Sequence, residues 1–445
     1  MENKIFRINS VVLSRLRSSI VNSRHIQSEL CLCSSGLTKT FFLLAIFYFL
    51  ISCAGGSKSG NSDTIDGGDN QPPLYVFLEN ILEKENSEPL SSVASEIIYI
   101  PLETNDNSLL GLDVEIEYLD GNYVVIDRYN IYLFNHEGKF IKQVARQGGG
   151  PSDYISVPYR TIVDRETNNF YLFTRTKVLK FDENANFLYN FQIDDEFTTI
   201  GKGVFTANKT MVLALSYSVW GLDDTTTVYN AIEIDTIGNV INKFIYNSPR
   251  IIGKTKSYHS AVSIYTFNNN IRFLDYGSDT LFSVVKGSMI PYAILDLGNN
   301  KTDLTPDLSN FNNPRDMHEF MINLKGHKIE FTVEDESFLF MSLTEKGHSS
   351  NQIHCIFNKK TKELKLLKEG GLLNNLDGGI SFFPQKPLID NMLISWKSAE
   401  EFKEEILSKD YNAQKAKYGE RFEKVYQLAK SLEDDDNDIL IIAKK

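Results

Sequence analysis

A unit of strand, tight turn and strand recurs along this chain at intervals of roughly fifty residues, and that rhythm restricts the fold more than any other feature. Its clearest form is "GNYVVIDRYNIYLFNHEGKFIKQVA" (Gly121–Ala145), with apolar runs broken at Asp127–Asn130 and Asn135–Gly138. The pattern returns at Asn168–Ile193, with Phe181-Asp182 where Phe134-Asn135 stood, and at Thr210–Asn247, with Ile234-Asp235 there. The steps from Phe134 to Phe181 and from Phe181 to Ile234 are 47 and 53 residues. Weaker copies follow at Asn269–Leu297, Glu336–Leu367 and Gly378–Ser398, and "EIIYIPLETN" (Glu96–Asn105) opens the series. Six units of several short strands predict an all-β fold, a six-bladed β-propeller. Aromatic residues at 12%, with 21 Tyr and 29 Phe, agree with strands.

The recurring turn has a physical reading. An Asp or Asn side chain can bond the backbone two residues on, and a glycine three residues after it accepts a positive φ. That glycine is present as Gly138 and Gly238, and Asn186 is expected to take its place in the second unit. The aspartates of these turns therefore read as turn formers, and no metal site is predicted. "DDDND" (Asp434–Asp438) lacks the alternating oxygen ligands and closing glutamate of a calcium loop and reads as solvated.

Helical periodicity is confined to the C-terminal part, about 399–432. A Ser398-x-x-Glu401 capping box precedes apolar Phe402, Ile406, Tyr418, Phe422, Val425 and Leu432 at helical spacing. This stripe is expected to pack on the propeller. The final apolar run, about 438–444, reads as a buried closing strand that seals the ring, so that both ends of the propeller are structural.

The N-terminal part follows a different logic. Lys39, about a dozen apolar residues, Leu50-Ile51-Ser52-Cys53 and then a Gly/Ser/Asp stretch have the layout of a signal peptide, and the apolar run is short for a membrane helix. Leu-Ile-Ser-Cys resembles a bacterial lipobox, which makes Cys53 the expected lipidation site. Residues 1–52 are accordingly read as an N-terminal extension and lipoprotein signal peptide, with residues before the signal taken as an over-extended translation start or a cytoplasmic extension. Residues 53–72 read as a flexible tether and 73–445 as the propeller. Of the four cysteines only Cys355 lies beyond Cys53, so no internal disulfide is expected.

The segments "IIYIPLETNDNSLLG", "VARQGGGPSDY" (Val144–Tyr154) and "NDILIIAKK" resemble the six-bladed β-propeller lipoproteins abundant in Gram-negative gut bacteria. Pro101-Leu102-Glu103-Thr104 and Gly148–Tyr154 carry most of the likeness, with Ser152 and Asp153 where that family tends to have glycine and glutamate. The resemblance implies a fold and an address: the cell envelope, lipid-anchored, with the outer membrane favoured and the domain in the periplasm or at the surface.

Chemistry is sparse by motif. The glycines of Val144–Tyr154 lack the lysine and helix of a phosphate loop, and no G-x-G-x-x-G fingerprint follows a strand. No H-E-x-x-H, H-x-H or G-x-S-x-G occurs, and His318, His327, His348 and His354 form only loose pairs. Tyr217 and Trp220 read as blade packing ahead of a sugar platform. The net charge is -12, and residues 1–52 carry six basic against two acidic groups, which leaves -16 on the rest. Nothing there attracts a polyanion, so nucleic acid is excluded. No cofactor is called for, and a monomer is expected.

Two functions remain. The preferred one is a membrane-anchored binding or scaffold module whose central face receives a glycan, a peptide or a partner protein. The alternative is a propeller lyase or hydrolase with acid–base residues gathered at the central funnel. Arg146, Asp153 and Tyr154 are the candidate ligand-binding residues of that face.

Overall fold

Blades 1, 4 and 6 begin with a hairpin made by turn residues that tolerate positive φ. Asp120-Gly121, Asn268-Asn269 and Asp390-Asn391 each join two strands with φ between 44° and 84°, the geometry of a two-residue turn whose twist matches its strands. In this computed structural model the described residues are 72–445, apart from 80–84, 156–157, 159, 176, 194–199, 216, 221–228, 245–250, 253–254, 259–262, 276, 286, 303–318, 320–322, 324 and 346–351. Cys53, the signal segment and nearly all of the tether lie outside them.

The protein is a six-bladed β-propeller. Blades 1 to 5 open with inner strands Glu115–Leu119, Arg160–Asp164, Ile200–Phe205, Ser263–Phe267 and His327–Glu334, and each runs outward as an antiparallel meander. The sixth starts with Lys386–Ile389 and Met392–Lys397. Its third strand, Ile439–Lys444, comes from the end of the chain, and its outer strand is Glu96–Pro101. The segment that opens the series in sequence thus closes the last blade in space. The closing strand is buried from Ile439 to Ala443.

The N-terminal segment also wraps the outside of the two preceding blades. Leu74–Phe77 adds a fifth, parallel strand to blade 4, and Glu85–Asn86 does the same on blade 5. Blade 3 carries an additional small sheet of Tyr217–Trp220, Ile251–Ile252 and Thr255–Tyr258.

The outer turns behave as their sequence predicts. Asn135 Oδ1 accepts from the amides of Glu137 and Lys139, Asp182 Oδ1 from Asn184 and Asn186, and Asp235 Oδ1 from Ile237 and Asn239, all at 2.7–3.0 Å. One detail differs. The left-handed position of the second turn is filled by Ala185, at φ 55°, not by Asn186; Asn186 instead bonds back to Asp182 through both its amide and its side chain.

Three helices, α1 (Ala399–Leu407), α2 (Tyr411–Tyr418) and α3 (Glu420–Ser431), are inserted between the second and third strands of blade 6. The Ser398 hydroxyl caps α1 by accepting from the Glu401 amide at 3.2 Å. Phe402, Ile406, Val425, Ala429 and Leu432 bury against Phe340, Phe382, Leu393, Ile439 and Ile441, so the helices share the core of blades 5 and 6.

A latch of side-chain bonds fastens the closure. Asn437 is buried; its Nδ2 donates to the carbonyls of Glu103 and Ser108, its Oδ1 accepts from Leu110 N, and its own amide donates to Thr104 Oγ1, at 2.7–2.9 Å. Glu103 Oε2 in turn accepts from Phe140 N, and the Glu103 amide donates to the Gly138 carbonyl. Gly138 has φ 77°, and a Cβ there would collide with the Pro101 carbonyl oxygen. Replacing Gly138 with alanine should therefore cost more than about 2 kcal/mol in urea unfolding, whereas Ala185→Gly, which trades a buried methyl for relief of a left-handed φ, should change stability by less than about 1 kcal/mol. Equal losses at the two positions would contradict a role for Gly138 in closure.

Candidate functional site

The inner strands line an axial channel with alternate residues, so side chains from all six blades converge there. At the end where these strands begin, the channel widens into a cavity of about 1150 Å³. Its wall includes Glu115 and Glu117 (blade 1), Arg160 and Thr161 (blade 2), Lys202 (blade 3), Tyr265 (blade 4), Glu330 and His354 (blade 5) and Lys386 and Trp396 (blade 6), while α1 contributes Glu401, Glu404 and Glu405 at the rim. A second cavity of about 670 Å³ occupies the other end, bordered by Asp164, Arg165, Glu166, Thr206, Asn268 and Asp390.

A belt of ion pairs links the inner strands across the first cavity. Lys386 Nζ lies 2.5 Å from Glu117 Oε1 and 3.5 Å from Glu115 Oε1, and Arg160 Nη1 lies 2.7 Å from Glu115 Oε2. Arg160 Nε also donates to the carbonyl of Gly201, which brings Arg160 beside Lys202. On the opposite arc Glu330 pairs with Lys328 and accepts from Thr344 Oγ1 at 2.7 Å.

These neighbours reset the titration of the belt. Burial would raise the Glu115 carboxyl, but the cations of Lys386, Arg160 and Lys202 overcome it and hold the group down at about 2. Burial would lower Lys386, and Glu117 with Glu115 reverses that, keeping its ammonium above the usual value. Lys202 goes the other way: burial first, then repulsion by Arg160 and Lys386, outweighs Glu115 and Glu330 and brings it down to about 8. His354 stacks on Phe383 with ring centroids 3.8 Å apart and faces the Gly370 carbonyl through Nδ1; burial lowers its pKa.

Two residues of the wall, Thr161 and Ser342, are more than nine-tenths buried, and their Oγ atoms have no hydrogen-bond partner. Thr332, also buried on this wall, bonds the Tyr265 side chain. Buried hydroxyls are usually satisfied, so two orphans among the residues of one cavity stand out. The contrast with the core between blades 4 and 5 is sharp. There Glu334, fully buried, accepts from Arg272 Nε and Tyr292 OH, both at 2.8 Å, and pairs with Lys359, a cluster whose groups bond one another.

The sequence-based candidates lie elsewhere. Arg146, Asp153 and Tyr154 belong to the crossing from the outer strand of blade 1 to the inner strand of blade 2, and none lines the cavity. Tyr154 is buried, packs with Val163, Phe170 and Leu179, and donates its hydroxyl to the Tyr129 carbonyl at 2.7 Å. Asp153 Oδ2 accepts from Gly150 N at 2.9 Å, closing the glycine loop on itself. Lys177 Nζ and Asn190 Nδ2 of blade 2 hold the Pro151 carbonyl at 3.2 and 3.0 Å. Arg146 is 81% exposed, 3.8 Å from Asp153. His318 and His348 lie outside the described residues, as do the side chains of Tyr217 and Trp220.

The belt residues carry no motif, yet they leave a trace in the sequence. "EIEYL", "RTIVD", "IGKGVF", "HKIEF" and "KPLI" each place a charge on an otherwise apolar inner strand, in alternation with core residues. The second strands of blades 1 to 3 carry no charge, whereas the third strands of blades 2 and 3 each hold one, Lys180 and Glu233, so a charge at the start of a blade is a partial signal for the channel.

Fold and cavity together define a six-bladed propeller with a polar funnel at one face. The chain belongs to the family described as Domain of unknown function (DUF4934), which matches residues 75–444. Among solved structures it is similar to a Bacteroides fragilis protein provisionally described as exported, at 17% identity and TM-score 0.57, over 84% of this chain and 99% of that one; at that identity the likeness speaks to the fold alone. A Bacteroides caccae protein of unknown function matches 40% of this chain and 67% of its own (13% identity, TM-score 0.27). The WD40 domain of Neurospora crassa Pan2 matches 40% and 52% (10% identity, TM-score 0.27). No curated protein matches.

The depressed pKa of Glu115 makes the belt pH-dependent. Its stabilisation is fully present above the unfolded value near 4.5 and is lost as pH falls through that value towards 2. Glu115→Gln should cost on the order of 2 kcal/mol at pH 7, and its deficit relative to the native chain should vanish between about pH 4.5 and 2 in chemical unfolding. A deficit independent of pH would remove Glu115 from the belt's electrostatics.

Proposed function

We propose that the protein is an exported, envelope-tethered binding propeller that takes a polar ligand, a glycan or a peptide segment, into the cavity at the strand-start face. The observation that carries this reading is the pair of buried, unpartnered hydroxyls, Thr161 and Ser342, among the residues lining one large cavity. Such groups cost stability unless a partner arrives, which is tolerable where a ligand supplies the bonds. Trp396 lines the same cavity and adds an aromatic side chain to it, with its Nε1 donating to the Val114 carbonyl at 3.2 Å. Binding is favoured over hydrolysis because the two central carboxylates are committed to cations, and Glu115 is ionised at any neutral pH, which suits it to hydrogen-bond acceptance and not to proton donation. The short apolar run after Lys39 supports a place outside the cytoplasm, and the Leu50–Cys53 lipobox supports a lipid anchor at Cys53, with the outer membrane favoured.

Trp396 is one of two tryptophans in the chain, so Trp220→Phe leaves it as the reporter of the cavity. Titration with oligosaccharides and short peptides should give a saturable change in its emission. Thr161→Val with Ser342→Ala should weaken that binding on the order of tenfold while leaving the melting temperature unchanged or raised, because each removes an unsatisfied buried hydroxyl. A fall in stability with unchanged affinity would make these hydroxyls structural and sink the cavity reading. Separately, Cys53→Ala should move the protein from the membrane fraction to the soluble one, and retention on the membrane would exclude this anchor.

A further inference from the structure

The cavity of about 670 Å³ at the far end of the channel holds charges of its own: Glu117, Asp164, Arg165, Glu166, Lys386 and Asp390. Four of these are committed within the protein. Glu117 pairs with Lys386 at 2.5 Å, and Glu166 lies 3.2 Å from Lys209. Asp164 closes its own turn, accepting from the Thr167 hydroxyl at 2.5 Å and from the Glu166 amide at 3.1 Å. Arg165 and Asp390 remain. Arg165 Nη1 donates to the Tyr118 carbonyl at 3.1 Å, and no carboxylate among the described residues pairs with its guanidinium. The Asp390 carboxylate pairs with no cation and accepts no hydrogen bond among the described residues.

The two groups occupy equivalent places in the ring. Arg165 stands in the turn after the inner strand Arg160–Asp164 of blade 2, and Asp390 in the turn after Lys386–Ile389 of blade 6, on either side of blade 1. Asp390 is near enough for its charge to act on Arg165, yet the two do not pair. Arg165 is exposed to solvent, while the protein around it desolvates the guanidinium enough to lower its pKa, as expected of a side chain inside a funnel. One cation and one anion, held apart in a single cavity, are complementary to a guest that carries both charges.

We propose that this second cavity binds a small zwitterion, an α-amino acid, with its carboxylate on Arg165 and its ammonium on Asp390. The guanidinium keeps a fork of N–H donors beyond the one spent on Tyr118, and that fork matches a carboxylate. Phe205, Ile264 and Leu388 border the same cavity and offer apolar surface to a hydrocarbon side chain. The site is independent of the ligand proposed for the strand-start face.

Isothermal titration calorimetry on the full chain tests the proposal with L-leucine, with 4-methylpentanoate, which lacks the ammonium, and with 3-methylbutylamine, which lacks the carboxylate. L-Leucine should bind saturably, and each analogue on the order of tenfold more weakly. Arg165→Gln should erase the preference for leucine over 3-methylbutylamine. Asp390→Asn should erase the preference over 4-methylpentanoate, and asparagine accepts the φ of 48° there, so the turn survives. Absence of saturable binding by leucine, glycine and phenylalanine alike overturns the proposal, as does equal affinity for leucine and its two analogues. Leucine binding that neither substitution weakens also overturns it. A double-mutant cycle in urea unfolding adds a check that needs no ligand: the two substitutions should act additively, and a coupled loss of stability would mean that Arg165 and Asp390 serve each other, against the proposal.

Discussion

The structure depends on one act of pairing: Ile439–Lys444 lies between Met392–Lys397 of its own blade and Glu96–Pro101 from the other end of the propeller. Six wedge-shaped sheets can enclose a channel only if the ring is shut, and here hydrogen bonds across two ladders shut it. Asn437 reinforces the joint, because a single buried side chain bonds Glu103, Ser108 and Leu110 at once. The same joint brings "IPLET" and the end of the chain together in space. They are two halves of one contact, and Gly138 is the third party whose missing side chain lets blade 1 approach the Pro101 carbonyl.

Closure brings the beginnings of six inner strands to one face, and that arrangement creates the cavity. Its charges are costly to bury, and the molecule offsets the cost in two ways. Between blades 4 and 5 the Glu334 cluster is fully paired and closed, which fits a purely structural role. In the channel the belt is paired but only partly buried, and it is left beside hydroxyls without partners. The first arrangement holds blades together, and the second leaves a surface whose hydrogen-bonding capacity is not spent on the protein itself.

Much of the fold was legible before any coordinates. The Asn135, Asp182 and Asp235 turns, the helical stripe from Phe402 to Leu432 and the closing strand all follow local rules, so periodicity and turn chemistry expose them. Local rules missed one turn residue: an alanine at φ 55° has no propensity signature, and Ala185 is buried in the core there. The loop Val144–Tyr154 drew attention because its composition is unusual, yet its glycines and Asp153 serve a crossing between blades and its tyrosine serves the core.

The amino-acid order determined which segments become strands, where they turn and that the last strand must be buried, because those outcomes need only neighbours a few residues away. It did not reveal that Glu115, Glu117, Arg160, Lys202 and Lys386 meet. These residues are spread over some 270 positions, each looks like an ordinary charge on a strand, and their mutual effect on ionisation exists only once the ring has closed. The cavity, its belt and its unpartnered hydroxyls are properties of that closure, since distance through the chain carries no information about distance across the channel.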